Sequence, residues 1–153
     1  MDVDPAIKEI FEDKFGGKLK DFLLPPPAFE VMHGEFLTLD PEAGLITTRF
    51  PVLAKFQNPF GAMQGGFVAA AVDNTIGPLS MVVAPPNVTR RLEMKFGRPI
   101  TIDLQHIRVE GKFLEREGRN LTFSAEVRDR KGRLLARGRS FHFIIDESEE
   151  GEL

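Results

Sequence analysis

The chain has 153 residues, a net charge of −3 at pH 7 and no cysteine, which is enough for one domain with a substantial core. The lack of cysteine excludes disulfides, a thiol nucleophile and a cysteine-based metal site. The charge is far from the basic balance of a nucleic-acid-binding protein. No uninterrupted apolar run reaches the roughly 18 residues of a membrane span, and the first residues do not resemble a secretory signal, so we expect a cytoplasmic protein.

The first 28 residues predict a helical extension. Residues 4–15 form an amphipathic pattern in which Asp4 is a helix cap and Pro5 suits the first turn. Two glycines end this helix, and the triple proline at 25–27 forces an extended segment. We therefore interpret the chain as an extension (1–28), one main domain (29–145) and an acidic tail (146–153) whose composition predicts disorder.

A hairpin is predicted before the central helix. Residues 29–39 and 45–53 have the composition of strands, and a turn containing proline and glycine separates them. After a loop, residues 65–76 show an apolar helical pattern. Gly77 and Pro78 then predict a kink or break, because proline removes a backbone donor and crowds the preceding turn.

The second half of the chain is predicted to consist of strands. Short breaks and turns separate these strands, which cover residues 89–96, 100–117, 119–130 and 133–145. In the second of them, a shift in the phase of the apolar residues predicts a bulge near Gln105. The phase also shifts in the last strand, so that the residues predicted to face the core there are Phe141, Phe143 and Ile145.

The most informative stretch is NPFGAMQGGFVAAAVDNTI, residues 58–76, a loop that turns at two glycines and becomes an apolar helix. From Phe67 to Val72 the helix is apolar on every side, which predicts a buried helix. Asp73 interrupts this pattern. Because a carboxylate is expensive to bury unpaired, we expect Asp73 either to be capped by partners or to have a chemical function.

Together these elements predict an α+β fold. An all-round apolar helix needs burial on most sides, and a curved antiparallel sheet wrapped around one long helix supplies that burial. The sequence contains no internal repeat and no sign of a second domain.

The loop and helix resemble the hotdog-fold acyl-CoA thioesterases of the phenylacetyl-CoA thioesterase-like branch. That family has an Asn, a Gly three residues later, a His-Gly-Gly at the start of the long helix and an Asp nine residues after the His. The positions that match this spacing are Asn58, Gly61, Gln64-Gly65-Gly66 and Asp73. The resemblance covers about residues 45–145, and Thr89 stands where the family has a small hydroxyl residue near the substrate.

The resemblance implies a hotdog fold and hydrolysis of an acyl-CoA thioester, with CoA entering only as part of the substrate and without metal or cofactor. The amides of Gly65 and Gly66 would stabilise the oxyanion, and Asp73 would be the general base or the nucleophile. Asn58 would orient water or the carbonyl. Gln64 departs from the family, since glutamine can donate a hydrogen bond but cannot titrate.

The remaining candidate residues concern substrate binding. Gly61, Met63 and Thr89 are expected to lie near the substrate, with Thr89 hydrogen-bonding water or the acyl group. An apolar set favours a small aryl or a short- to medium-chain acyl group, although its members are equally good core residues: Phe56, Phe60, Met63 and Met81.

Helix geometry separates the two halves of the predicted site. Gly66 and Asp73 are seven residues apart, so they share a helix face but lie about 10 Å apart along the axis. One carbonyl cannot contact both groups. We therefore expect a site shared across a homodimer, or a dimer of dimers, as the resemblance also implies; no nucleic acid or membrane partner is expected.

Each candidate residue also has a structural interpretation. In this interpretation Asp73 only caps a neighbouring backbone, Asn58 only caps its loop, and the two glycines only form a tight turn. Gln64 is then a surface or packing residue, and Thr89 an ordinary first residue of a strand.

Alternative functions remain open at this point. One is a non-catalytic acyl-CoA binding or sensing protein, motivated by Gln64, and another is a hotdog protein that only oligomerises. A hydratase on this fold lacks support, because no His–Asp pair is evident near the long helix. The three histidines lie in predicted strands without an acid or cysteine at ligand spacing, so structural roles are expected for His33, His106 and His142.

Overall fold

The computed structural model describes residues 3–145, which form one six-stranded sheet and three α-helices. The predicted disorder of the tail concerns residues 146–153, which lie outside the described residues. The helices are α1 (Pro5–Phe15), α2 (Pro27–Val31) and α3 (Gly65–Val83). The strands are β1 (Glu35–Asp40), β2 (Leu45–Pro51), β3 (Asn87–Phe96), β4 (His106–Glu117), β5 (Asn120–Arg128) and β6 (Leu134–Ile144).

All neighbouring strands are antiparallel, in the order β1-β2-β4-β5-β6-β3. The sheet curves around α3, which connects β2 to β3 and carries the chain to the opposite edge of the sheet. Within residues 3–145, β3 is therefore an edge strand that pairs only with β6. This is the predicted α+β hotdog architecture, and β1 and β2 confirm the predicted hairpin.

The core lies between α3 and the concave face of the sheet. Its fully buried side chains include Ile46, Ile76, Leu79 and Phe123. A pair of buried hydroxyls also joins helix and sheet. Thr75 Oγ1 donates to the carbonyl of Ala71 at 2.7 Å. Because a hydroxyl has only one proton, Thr48 Oγ1 must be the donor in the 2.7 Å hydrogen bond between the two threonines.

Gly111 in β4 allows α3 to approach the sheet closely. It pairs with Ile46 in β2, and a Cβ added at Gly111 would lie 2.8 Å from Ile46 Cγ2 and 2.9 Å from Ile76 Cδ1. These distances are shorter than van der Waals contact. The missing side chain of Gly111 is therefore what lets the two isoleucines meet under the helix.

The N-terminal helix is confirmed and the first predicted strand is partly wrong. In α1, Asp4 Oδ1 accepts a hydrogen bond from the amide of Ala6 at 2.8 Å, and the helix buries Phe11. Residues 29–31 belong to α2, not to a strand. The proline at the start of α2 suits a first helical turn, and the buried Phe29 ring stacks on Phe36 with centroids 4.3 Å apart. The division of the chain into extension and main domain stays a prediction.

Of the kink or break predicted at Pro78, the break is wrong, because α3 continues through Pro78 to Val83. An internal proline costs about 3 kcal/mol. Ile76 and Leu79 are both fully buried beside it, and each such side chain contributes about 1.5–3 kcal/mol by burial. Packing against the core therefore outweighs the local cost of the proline.

Two details of the later strands also differ from the predictions. Residues 102–104 form a 3-10 turn, and Gln105 adopts φ 65°, so β4 begins at His106 instead of bulging there. In β6 the buried residues are Leu135, Ala136, Gly138, Ser140, His142 and Ile144. Phe141 and Phe143 thus point away from the core, and Ile145, also predicted to face the core, is 55% exposed.

The outer position of these two phenylalanines has a physical cause. The guanidinium of Arg91 lies 4.0 Å from the Phe141 ring centroid, and that of Arg90 lies 3.9 Å from the Phe143 centroid. Cations stacked on the rings cover them on the outer face of the sheet. The composition of the strand alone does not distinguish phenylalanines covered by arginines from phenylalanines buried in the core.

Within residues 3–145 one face of α3 is open, which corrects the predicted burial on every side. The exposed or half-buried positions on this face recur at helical spacing and are Gly66, Ala69, Ala70, Asp73 and Gly77. By length and composition alone α3 could cross a membrane, but 50% of its most apolar window is buried within the described chain. The sheet-facing side makes α3 the core helix of the fold.

The close contact at Gly111 predicts that Gly111→Ala destabilises the protein by about 1–3 kcal/mol, since a methyl group there overpacks the core. Urea unfolding of the variant and wild type measures this difference. Gly17→Ala is the matched control, because a Cβ at Gly17 meets no atom within 4 Å. Equal stability of Gly111→Ala and wild type would contradict the contact.

Candidate active site

The beginning of α3 presents two backbone amides, those of Gly65 and Gly66, that have no acceptor within residues 3–145. Gln64 caps the helix through its carbonyl, which accepts from the amides of Phe67 at 2.9 Å and Val68 at 3.2 Å. Among the described residues its side chain makes no capping hydrogen bond, and it is exposed. The amides of Gly65 and Gly66 come before the first amide that has an acceptor within the helix. A helix N-terminus also favours negative charge. These two amides are therefore suited to an oxyanion.

The loop before α3 is held by Asn58. Its Oδ1 accepts from the amides of Phe60 at 2.9 Å and Ala62 at 3.1 Å, which is the loop-capping role expected of a purely structural asparagine. Gly61 adopts φ 82°, a conformation that favours glycine. In the described structure the Asn58 carbonyl oxygen is thus engaged, and its Nδ2 is the group available to a ligand.

A groove of about 440 Å³ opens beside this helix end. Three predicted site residues line it, namely Asn58, Met63 and Gly65, together with Phe96 and Arg98. A Cβ at Gly65 would lie 3.3 Å from the Phe96 ring, so glycine leaves room for the ring. The volume is in the range of pockets for small molecules.

Asp73 and Thr89 meet at a second location. Thr89 Oγ1 donates a hydrogen bond to Asp73 Oδ1 at 3.1 Å. A bulge in β3 positions the threonine, since the pairing with β6 shifts between Thr89 and Arg91. The extra residue, Arg90, faces outward beside Arg91, and the strand then turns Thr89 toward α3.

The structure adds His142, for which the sequence predicted only a structural role. His142 lies directly opposite Thr89 in the pairing of β6 with β3, and its Nε2 is 3.3 Å from Thr89 Oγ1. It is only 3% exposed and also contacts Ser140 Oγ at 2.8 Å and Asn87 Oδ1 at 2.8 Å. A His–Asp pair therefore does exist near the long helix, linked by Thr89.

The environment of His142 keeps its imidazole neutral at pH 7. Burial lowers its pKa below the usual 6.5, and the carboxylate of Asp73 raises the pKa by a smaller amount. The neutral ring is therefore able to accept a proton.

The predicted residues thus form two groups in one chain. Asn58, Met63 and Gly65 border the groove at the N-terminus of α3, beside the exposed Gln64 and Gly66. Asp73 lies two turns further along the helix, about 10 Å away, and Thr89 of β3 is hydrogen-bonded to it; neither lines that groove. A single chain does not bring the two groups together.

The lowered pKa of His142 predicts a loss of stability on acidification. The unfolded chain binds a proton near pH 6.5 and the folded chain only at lower pH, so the free energy of unfolding decreases as the pH falls below 6.5. His142→Gln should lose less stability than wild type between about pH 7.5 and pH 5, as measured by urea unfolding.

Asp129, the carboxyl whose pKa is also shifted, titrates below this pH range. The backbone N–H of Arg133 is the main cause of a pKa below 3.8 for Asp129, so the stability that Asp129 contributes is lost only at more acidic pH. An identical pH dependence for His142→Gln and wild type would contradict the assignment.

Comparison with models of known protein families finds no match, and comparison with curated proteins finds none either. Solved structures do match. A mutant of the phenylacetic acid degradation protein PaaI from Thermus thermophilus is 23% identical, with a TM-score of 0.71 and coverage of 78% of this chain and 100% of that chain.

Two further solved structures are similar. A candidate thioesterase, a phenylacetic acid degradation-related protein from Ralstonia eutropha JMP134, is 22% identical, with a TM-score of 0.73 and coverage of 88% of this chain and 99% of that chain. A hypothetical thioesterase from Streptococcus pneumoniae, solved with coenzyme A, is 13% identical, with a TM-score of 0.67 and coverage of 76% of this chain and 95% of that chain. These matches show that the chain has the hotdog fold of thioesterase-type proteins.

Proposed function

We propose that the protein is an acyl-CoA thioesterase whose active site forms between two copies of the chain. The observation that carries this proposal is the Asp73–Thr89 hydrogen bond on the open face of α3, seven residues after the amide of Gly66. Solved structures with this fold are described as thioesterases, and one was solved with coenzyme A. Their names support the reaction class for this chain.

The reaction needs a base or nucleophile and a site for the oxyanion. Asp73 is exposed in the single chain, so its carboxylate can reach a water molecule or a thioester carbon. The amides of Gly65 and Gly66 would stabilise the charge that develops on the carbonyl oxygen. Asn58 Nδ2 and the Gln64 side chain would donate further hydrogen bonds to the substrate, and CoA enters as part of it.

A second copy of the chain would complete the site. The edge strand β3 and the open face of α3 are adjacent, and each of the two elements carries an exposed apolar side chain, Val88 on β3 and Phe67 on α3. Unpaired strand edges and open apolar faces favour association. A two-fold axis here would place the Gly66 amide of one copy near Asp73 of the other.

The groove favours a small acyl group. Met63 is buried at its base and Phe96 covers one side, so an aryl or a short- to medium-chain acyl group would find apolar contacts there. The thioester itself would then lie toward the helix N-terminus and the acid of the second copy.

Asp73→Asn should abolish most of the release of free thiol from acyl-CoA. Proton transfer by a positioned side chain contributes about 10²–10⁴-fold, so turnover should fall by at least about 10²-fold. A panel of aryl and short- to medium-chain acyl-CoAs measured with a thiol reagent tests this. Glu117→Gln, at the exposed end of β4, is the control for loss of one acid. Unchanged turnover in Asp73→Asn would exclude the mechanism.

Mixing two inactive variants tests the shared site. Gly66→Pro removes one amide in the first turn of α3, where proline is tolerated, and a Cβ at this position meets no described atom within 4 Å. In a mixed dimer with Asp73→Asn, one of the two sites keeps both Asp73 and the Gly66 amide. Since about half of the randomly formed dimers are mixed, activity should recover to about one quarter of wild type. No recovery would place both groups in one chain.

A non-catalytic acyl-CoA binding protein is the second candidate function. Gln64 favours it, because glutamine at this position cannot titrate. Binding of acyl-CoA by calorimetry, without thiol release by wild type, would support this alternative over hydrolysis.

A further inference from the structure

We infer that His142 stores the proton that Asp73 removes from water, and that Thr89 transfers it between them. This inference rests on the proposed thioesterase function and deepens it, since it assigns Asp73 the role of general base. His142 is a positioning and proton-holding residue that acts through Thr89. Its side chain is buried and titratable, and the hydrolysis reaction otherwise gives it no role.

The tautomer of His142 follows from Asn87. The amide Nδ2 of Asn87 donates to the carbonyl of Pro85 at 2.9 Å and to that of Ser80 at 3.2 Å. Its Oδ1 therefore faces His142, and His142 Nδ1 must donate to it at 2.8 Å. In the neutral imidazole this leaves the lone pair on Nε2, on the side of Thr89 and Ser140.

The lone pair of Nε2 has two hydroxyls around it. Ser140 Oγ donates to it at 2.8 Å, because Thr89 gives its own proton to the ionised Asp73. The contact between Thr89 Oγ1 and Nε2, at 3.3 Å, thus joins two acceptors while Asp73 is ionised. When Asp73 gains a proton it becomes a donor to Thr89, and Thr89 can then donate to Nε2.

Asp73 is the charged group that faces His142 within residues 3–145. The other neighbours of the imidazole are uncharged: Asn87 and Thr89 on β3, Ser140 on β6, and the ring of Phe123 on β5, which packs against it at 4.8 Å. The arginines of this region, Arg90 and Arg91, stack on rings on the outer face of the sheet. The imidazolium formed by the transfer would be stabilised by the restored carboxylate of Asp73.

Every proton is conserved in this step. As the water oxygen bonds to the thioester carbon, its O–H bond breaks and the proton moves to Asp73. That proton passes to Thr89 Oγ1 while the threonine proton passes to His142 Nε2. When the C–S bond breaks, the same transfers run in reverse and the proton reaches the thiolate. The products are the carboxylic acid and free CoA, and Asp73, Thr89 and His142 return to their starting states.

Kinetics of two variants test the inference. His142→Gln keeps hydrogen-bonding groups but cannot hold a proton, and Thr89→Val removes only the hydroxyl. Each should lower kcat by about 10²-fold with little change in KM, the lower range for proton-transfer catalysis. Thr89→Ser, the matched control, should retain most of the activity. The double variant should be no slower than either single one, because both changes interrupt one path.

The pH profile separates proton storage from a structural role. Wild type needs neutral His142, so kcat should fall below pH 6.5, in part because His142 gains a proton there. In His142→Gln the decrease of kcat that is due to His142 should be absent, so kcat should fall less steeply at acidic pH. An unchanged acid limb together with unchanged kcat would overturn the inference while leaving the thioesterase function intact.

NMR titration tests the link without turnover. The chain has three histidines, so His142→Gln identifies the His142 signal. In Asp73→Asn the pKa of His142 should fall further, because the carboxylate that raises it is gone. An unchanged titration would overturn the coupling. A wild type that releases no thiol from any acyl-CoA would overturn the proposed function and, with it, the catalytic role of the coupled pair.

Discussion

The close approach of α3 to the sheet at Gly111 is the contact on which the rest of the structure depends. Without a side chain at that position, Ile46 and Ile76 pack together and the hydroxyls of Thr48 and Thr75 come within 2.7 Å. This contact sets the rotation of the helix. The opposite face, with its small residues and Asp73, is thereby directed to the edge strand β3.

The bulge at Arg90 then brings the chemistry together. Counted back from Leu92, which packs against the core, a regular β3 would turn Arg90 inward and Thr89 outward. One extra residue instead places both Arg90 and Arg91 on the outer face. Thr89 consequently faces Asp73 on one side and His142 on the other. A single irregularity in strand pairing thus links an exposed carboxylate to a buried imidazole.

Local signals predicted much of this arrangement, and pairing between distant segments explains what they missed. The cap at Asp4 and the glycines before α3 act within one turn, so the sequence shows them directly. The phase of β6 and the partnership of His142 depend on which strand pairs with which residue. Pro78 breaks isolated helices, and only the burial around it explains why α3 continues. Asn58 caps its loop, which its type alone does not distinguish from a catalytic role.

Gln64 and His142 differ in what they can contribute to the proposed reaction, since only His142 can titrate. Glutamine at the start of α3 can orient a carbonyl but cannot exchange a proton. Proton transfer in the proposed site then falls to Asp73 and to the titratable group hydrogen-bonded through Thr89. Because burial keeps His142 neutral, it accepts a proton only when Asp73 has one to pass on. Although Gln64 does not titrate, the proton released by the attacking water can therefore still be accepted by Asp73 and held by His142.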